Sequence, residues 1–228
     1  MCGRYTLAET LDALRVLLQF FELPNLTPRW NIAPTQTAPV VRLGDDGVRH
    51  LAMLRWGLVP AWAKDLSVGA RAINARAESV ADKPTFRDAF RKRRCLVPAD
   101  GYYEWVATGK VKQPYRFALR DGGVMVFAGL WERWVSPAGE AVETFGFVTT
   151  DASPDVLPVH DRMPVLLDPA AWPVWLDPKT PLAELQALLK PAPAGRLVHQ
   201  AVSRLVNSAR AEGPELIRPS EPEAPRLL

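Results

Sequence analysis

Leu11, Leu14, Leu18 and Phe21 recur at helical spacing until Pro24 interrupts the run. Thr6 and Glu9 form a Ser/Thr-x-x-Glu capping box ahead of them, so the pattern predicts an amphipathic helix that pins the amino terminus to the domain. The next stretch, PNLTPRWNIAPTQ (24–36), carries no period and reads as a loop. TAPVVRL (37–43) and VRHLAMLRWGL (48–58) flank GDDG, the pattern of a β-hairpin with a Gly-rich turn. Residues 59–78, VPAWAKDLSVGARAINARAE, mix small and polar side chains too evenly for a core element and read as a long loop, a kind that is usually functional or disordered. TFRDAFRKRR (85–94) is a short basic helix whose Arg87, Arg91, Lys92, Arg93 and Arg94 form either a solvated face or an anion-facing one, with the solvated reading expected for most of them.

From residue 94 the pattern turns to β. RCLVPADGYYEWVA, QPYRFALR, VMVFAGLWERWV and TFGFVTTDAS are rich in aromatic and β-branched residues and are parted by TGK, DGG and SPAG turns. Asp168-Pro169 and Thr180-Pro181 each set an N-cap candidate before a Pro at the first helical position, predicting two helices, the second carrying Leu182, Leu185, Leu188 and Leu189. The Pro- and Glu-rich tail from Pro214 is expected to fray. With no internal repeat and no inter-domain linker, the simplest architecture is one α+β domain over residues 1–219, with an antiparallel β-barrel-like core, peripheral helices and a disordered tail at 220–228.

Composition narrows the chemistry. The 228 residues include 22 prolines, which favours short strands and loops over long helices. A formal net charge of +3 means that any polyanion site is a local basic surface. No charged leader precedes an apolar stretch and no apolar run is long enough to span a bilayer, so the expected compartment is the cytoplasm, without a membrane partner. Two cysteines and three histidines cannot build a Cys-rich zinc framework or a disulfide scaffold, so no metal and no cofactor are expected and the thiols are read as reduced.

Cys2 directly follows Met1, and initiator methionine is removed when the next side chain is small. The exposed residue would then carry an amine with pKa near 7.7–8.0 and a thiol near 8.5, both with an appreciable nucleophilic fraction at neutral pH. Such a 1,2-aminothiol condenses with an aldehyde: the amine forms a Schiff base and the thiol closes a thiazolidine, an intramolecular step with an effective molarity on the order of 10⁵ M. Alternatively, the thiol attacks an amide with the amine as its base. Either route needs an acid/base and donors nearby. Glu104, between Tyr103 and Trp105, sits in an apolar surround that would raise its carboxyl. His160, in the Pro-bounded VHDRMP loop beside Asp161 and Arg162, suits a general acid/base next to an anion contact, whereas His50 and His199 read as surface residues. In INARAES, Asn74 offers an uncharged donor and acceptor, and Arg76 a phosphate fork.

MCGR, WNIAP, RWGLVPAW, INARAE, RRCLVPADGYYEW, QPY, VHDRMP and AVSRLVN, in this order, resemble the SRAP (SOS-response-associated peptidase) family over essentially the whole chain as far as Pro219. The resemblance implies a single domain with a positively charged channel for single-stranded DNA and covalent capture of abasic sites by Cys2. It further implies that Glu104 orients the terminal amine and shuttles protons, that His160 helps open the deoxyribose ring, and that Asn74 positions the cysteine and the opened sugar. Arg4, Asn31, Arg76, Thr149 and Arg162 match positions that contact phosphates, and Pro34 and Trp62 match positions that pack on sugar and bases; Ala63 stands where some members carry a second tryptophan. The protein is thus expected to be a nucleoid-associated monomer whose partner is single-stranded DNA containing abasic sites. Peptidase action, either self-processing or cysteine-type proteolysis, and non-covalent shielding of single-stranded DNA are the alternative readings.

Overall fold

The computed structural model describes residues 2–108 and 111–221. In chain order the elements are β1 (Arg4–Leu7), α1 (Leu11–Leu18), β2 (Arg29–Ile32), β3 (Thr37–Leu43), β4 (Arg49–Trp56), β5 (Asn74–Arg76), α2 (Arg87–Lys92), β6 (Arg94–Ala99), β7 (Gly101–Thr108), β8 (Val111–Leu119), β9 (Met125–Val135), β10 (Ala141–Asp151), β11 (Arg162–Pro164), α3 (Trp172–Leu176), α4 (Leu182–Ala187) and β12 (Leu197–Ala201). One sheet runs β10-β4-β3-β6-β9, and β9 pairs again with β10, so these five strands close into a barrel. Only the β4–β10 seam is parallel; the other four pairings are antiparallel, and closure removes the open edges. The second sheet, β12-β8-β7-β1-β2, lies against the barrel.

An aromatic cluster joins the two sheets. Tyr5 of β1 meets Trp56 edge-on at 5.2 Å and Tyr102 of β7 meets Phe127 at 6.1 Å, while Phe127 and Phe147 pack at 5.1 Å within the barrel. All five rings are buried, and such pairs add to the stabilisation from burial alone. The period-two alternation of β7 follows from this packing. Tyr102 faces the barrel, whereas Tyr103 packs outward on Val202 and Val206. Glu104, two residues beyond Tyr102, is thereby turned inward and buried.

The barrel wall is tight where β9 crosses β6. A methyl group built on Gly129 would lie 2.6 Å from Cys95 Sγ and 2.9 Å from the Cys95 carbonyl. Gly129→Ala is expected to destabilise the protein by about 1–3 kcal/mol, the cost of overpacking a core. Urea unfolding measures this, and an unchanged midpoint would show that the wall yields.

Several local expectations are corrected. Thr6 belongs to β1, and its hydroxyl bonds to Asp100; the helix is capped by Thr10, whose Oγ1 accepts from Ala13 N at 3.3 Å. The helix ends at Gln19 in the left-handed region, leaving Phe21 outside it. The stretch read as a loop before residue 37 contains β2, whose four residues are too few to show alternation. RCLVPADGYYEWVA is two strands in different sheets, because Asp100 ends β6 and anchors the turn into β7. Arg94 is not on a solvated face: it is buried and donates to the carbonyls of Phe90, Arg91, Trp175 and Asp177. α4 is capped by Pro181, while Thr180 Oγ1 donates to the Val174 carbonyl at 2.6 Å. Fraying does not begin at Pro214: a 3-10 turn over Pro214–Ile217 buries Leu216. Most of the tail expected at 220–228 lies outside the described residues.

Candidate functional site

β1 pairs antiparallel with β7 through Arg4↔Tyr103, Tyr5↔Tyr102 and Thr6↔Gly101, so the chain terminus is carried along β7 to Glu104. Cys2 is buried and its thiol lies 3.5 Å from the Arg4 carbonyl. From the other sheet, β5 runs parallel to β10, opposing Asn74 to Phe147. Asn74 Nδ2 donates to the Cys2 carbonyl at 2.8 Å, while its buried Oδ1 has no hydrogen-bond partner among the described residues. His160 closes the group from the turn before β11, its Nε2 3.8 Å from Glu104 Oε2. Four residues read from separate stretches of sequence, Cys2, Asn74, Glu104 and His160, thus share one place where the two sheets meet.

Its electrostatics are unusual for acidic and basic side chains side by side. Burial pushes the Glu104 carboxyl up to about 7, against the downward pull of the positive chain terminus. Burial, and then that same positive charge, hold His160 below the ordinary histidine range. Near neutral pH the site therefore holds a carboxyl close to half-protonation beside a neutral imidazole, a pair able to give or take a proton. The Arg162 amide and Asp161 Oδ1 both stand 2.9 Å from His160 Nδ1, while Nε2 faces Glu104. The Cys2 thiol departs from the sequence expectation: burial, then the charge of Glu104, push it well above the ordinary value, so it is held as a thiol and requires a base before it can attack.

The positions matched to DNA contacts fall into two sets. Trp62 is 61% exposed and Arg76 is exposed, both available to a ligand. The loop carrying Trp62 is ordered: Gly57 and Gly69 approach so closely that a methyl on Gly57 would lie 2.6 Å from the Gly69 carbonyl, and Asp65 caps a 3-10 turn over Leu66–Arg71. Pro34 is half-buried, beside Thr35 in the left-handed region. Ala63 points away from this wall, packing with Val59 and Trp134, so a second ring is not simply missing from the exposed face.

The other set is engaged within the protein. Arg4 donates to Asn31 Oδ1 and the Val206 carbonyl, each at 2.9 Å. Asn31 is buried and donates to the carbonyls of Ser208 and Ala211. Thr149 is buried, its hydroxyl on the Ala75 carbonyl at 3.3 Å. Arg162 is held by Glu78 and Asp151, two carboxylates that the sequence pattern did not single out, although Glu78 lies within INARAES. Among the described residues no group of three or more His, Cys, Asp or Glu side chains is placed to hold a metal ion, and no helix is long and apolar enough to cross a membrane.

A model of the SOS response associated peptidase (SRAP) family matches residues 1–209. The chain belongs to the SRAP family. Among SRAP relatives, the abasic site processing protein YoqW of Bacillus subtilis is 40% identical over 222 residues, covering 95% of this chain and 99% of that protein. The abasic site processing protein HMCES of Gallus gallus is 32% identical over 231 residues, covering 87% of this chain and 68% of that one. Among solved structures, a protein from Bacteroides thetaiotaomicron superimposes with a TM-score of 0.84 at 25% identity, covering 96% of this chain and all of that one. The closed barrel with its few helices is thus the SRAP α+β fold.

Proposed function

We propose that this protein acts in DNA repair by capturing abasic sites in single-stranded DNA as a thiazolidine at Cys2, after removal of Met1. The observation that carries the reading is the convergence on Cys2 of an amide that holds its backbone, a carboxyl raised to about 7 and a neutral imidazole. The names of the relatives supply the substrate.

The abasic sugar is mostly a closed hemiacetal. Glu104 as carboxylate takes the C1′ hydroxyl proton, the C1′–O4′ bond breaks with His160 Nε2 facing the departing oxygen as its hydrogen-bond partner, and Glu104 returns the proton to O4′, which frees the C1′ aldehyde. Glu104 takes a proton from the Cys2 ammonium, the freed amine adds to C1′, and Glu104 returns that proton to the carbinolamine oxygen, releasing water to leave an iminium and Glu104 as carboxylate. Glu104 then takes the proton of the buried thiol, and the sulfur adds to C1′ to close the five-membered ring. The balance is one aldehyde and one aminothiol giving one thiazolidine and one water. A protonated thiol suits this order, since the amine must act first. Asn74 fixes the Cys2 carbonyl and keeps a carbonyl oxygen for the opened sugar. Arg76 meets the backbone, and Trp62 stacks on a base, worth about 1–3 kcal/mol. The iminium also acidifies C2′, so strand cleavage by β-elimination is a side reaction.

The test compares an abasic single strand, the same strand intact, and casein. The expected result is a heat-stable adduct on the abasic strand alone. Casein cleavage without an adduct would replace this reading with peptidase action, and equal non-covalent binding to both strands without an adduct would replace it with shielding.

A further inference from the structure

Arg162 is matched to a phosphate contact, yet its side chain is only 13% exposed and its two terminal nitrogens already meet four acceptors. Nη1 donates to Glu78 Oε1 at 2.8 Å and to Asp151 Oδ1 at 2.6 Å; Nη2 donates to Glu78 Oε2 at 3.0 Å and to the Thr149 carbonyl at 2.8 Å. The Glu78 contact is a two-point fork, the geometry that adds direction to charge. Its position in the chain gives it consequence. Glu78 lies four residues beyond Asn74, on the connection leaving β5. Arg162 lies two residues beyond His160, and its amide is the donor to His160 Nδ1. The Thr149 carbonyl of β10 joins the two sides, accepting from Ala77 N as well as from Arg162.

We propose that Glu78 is a positioning residue: by its two-point pair with Arg162 it ties the Asn74 segment to the His160 turn and so fixes the spacing between the group that holds Cys2 and the group that faces Glu104. Asp151 supports it from β10. Reacting groups must be held within about 0.5 Å of productive geometry, and a misplacement near 1 Å costs on the order of a hundredfold in rate. Pairing with β10 sets the register of β5 and β11, and the fork adds a side-chain tie between the connection that leaves β5 and the start of β11. Arg162 is thereby a brace, and a phosphate reaching it must compete with two carboxylates.

The inference rests on the capture reading, and its test has one readout that does not. In full-length protein, Glu78→Ala and Glu78→Gln are compared with wild type for binding to the intact strand, for the single-turnover adduct rate at saturating abasic strand across the neutral pH range, and for the ¹⁵N shifts of the His160 ring. Charged groups around that ring are Glu104 from β7, Asp161 and Arg162 on its own segment, and the chain's terminal amine. Expected are a rate lowered about tenfold or more by Glu78→Ala with binding unchanged, a displaced pH profile, partial rescue in Glu78→Gln, and displaced ¹⁵N shifts of the His160 ring. An unchanged rate and unchanged ¹⁵N shifts, with only the melting temperature lowered, would overturn the proposal. Tighter DNA binding at an unchanged rate would overturn it too, making Glu78 a charge gate. Where wild type forms no adduct at all, the capture reading fails, and the ¹⁵N shifts still decide whether Glu78 sets His160.

Discussion

Glu104→Gln is expected to lower the adduct rate by about 10²–10⁴-fold, the usual contribution of a general acid/base, while making the folded protein relatively more stable at alkaline pH. Both effects come from the same burial. The carboxyl titrates at about 7 in the folded protein against an ordinary 4.5. Between those values the folded state binds a proton that the unfolded state has released, so wild-type stability falls as pH rises through this window, and the penalty is complete above pH 7. A shift of this size corresponds to about 3 kcal/mol. Glutamine does not titrate. The stability of the variant relative to wild type should therefore rise by about that amount from mildly acid to alkaline pH, then level off. Urea unfolding at a series of pH values beside single-turnover rates checks it. A pH-independent difference would mean that Glu104 is not strained by burial, and a rate within a few-fold of wild type would remove it from the chemistry.

Cys2→Ala should abolish the heat-stable adduct, with a loss of at least about a hundredfold, because ring closure is the step that an intramolecular thiol makes favourable. The amine survives in this variant. It should still form a Schiff base, which borohydride traps and heat reverses, and strand cleavage by β-elimination should persist or increase, since no sulfur removes the iminium. Cys2→Ser should behave in the same way. Cys95, buried in the barrel with its thiol pushed up by desolvation, cannot substitute. An undiminished heat-stable adduct in Cys2→Ala would place the linkage on another residue.

The fold was legible where pattern and packing agree. The hairpin at 37–58 has two long runs around a Gly-rich turn, and it forms as read. β2 was not legible because four residues between prolines gain their strand character from pairing with β1 rather than from their own period. The Thr6–Glu9 box misled because the side chain needed for a cap is taken by Asp100, a contact 94 residues away. In the site, Cys2, Glu104 and His160 stood out as chemistry, since an aminothiol, a carboxyl among aromatics and a loop imidazole each suggest a role alone. The states in which the fold holds them were not readable. The protonated thiol follows from burial that only the meeting of two sheets creates. Likewise, the engagement of Arg4 and Asn31 with the Val206–Ala211 segment depends on contacts across more than 170 residues. Glu78 carried no signal of its own in the sequence, because its place depends on the fork it makes with Arg162, 84 residues away.

Intact mass spectrometry of the full-length protein, before and after reaction with an abasic strand, bears most directly on Cys2 as a two-headed nucleophile. The expected free protein lacks Met1. The expected adduct weighs the sum of protein and DNA less one water, and its sugar remnant maps to the peptide beginning at Cys2. An adduct formed while Met1 is still present, or mapped to any other residue, would contradict it.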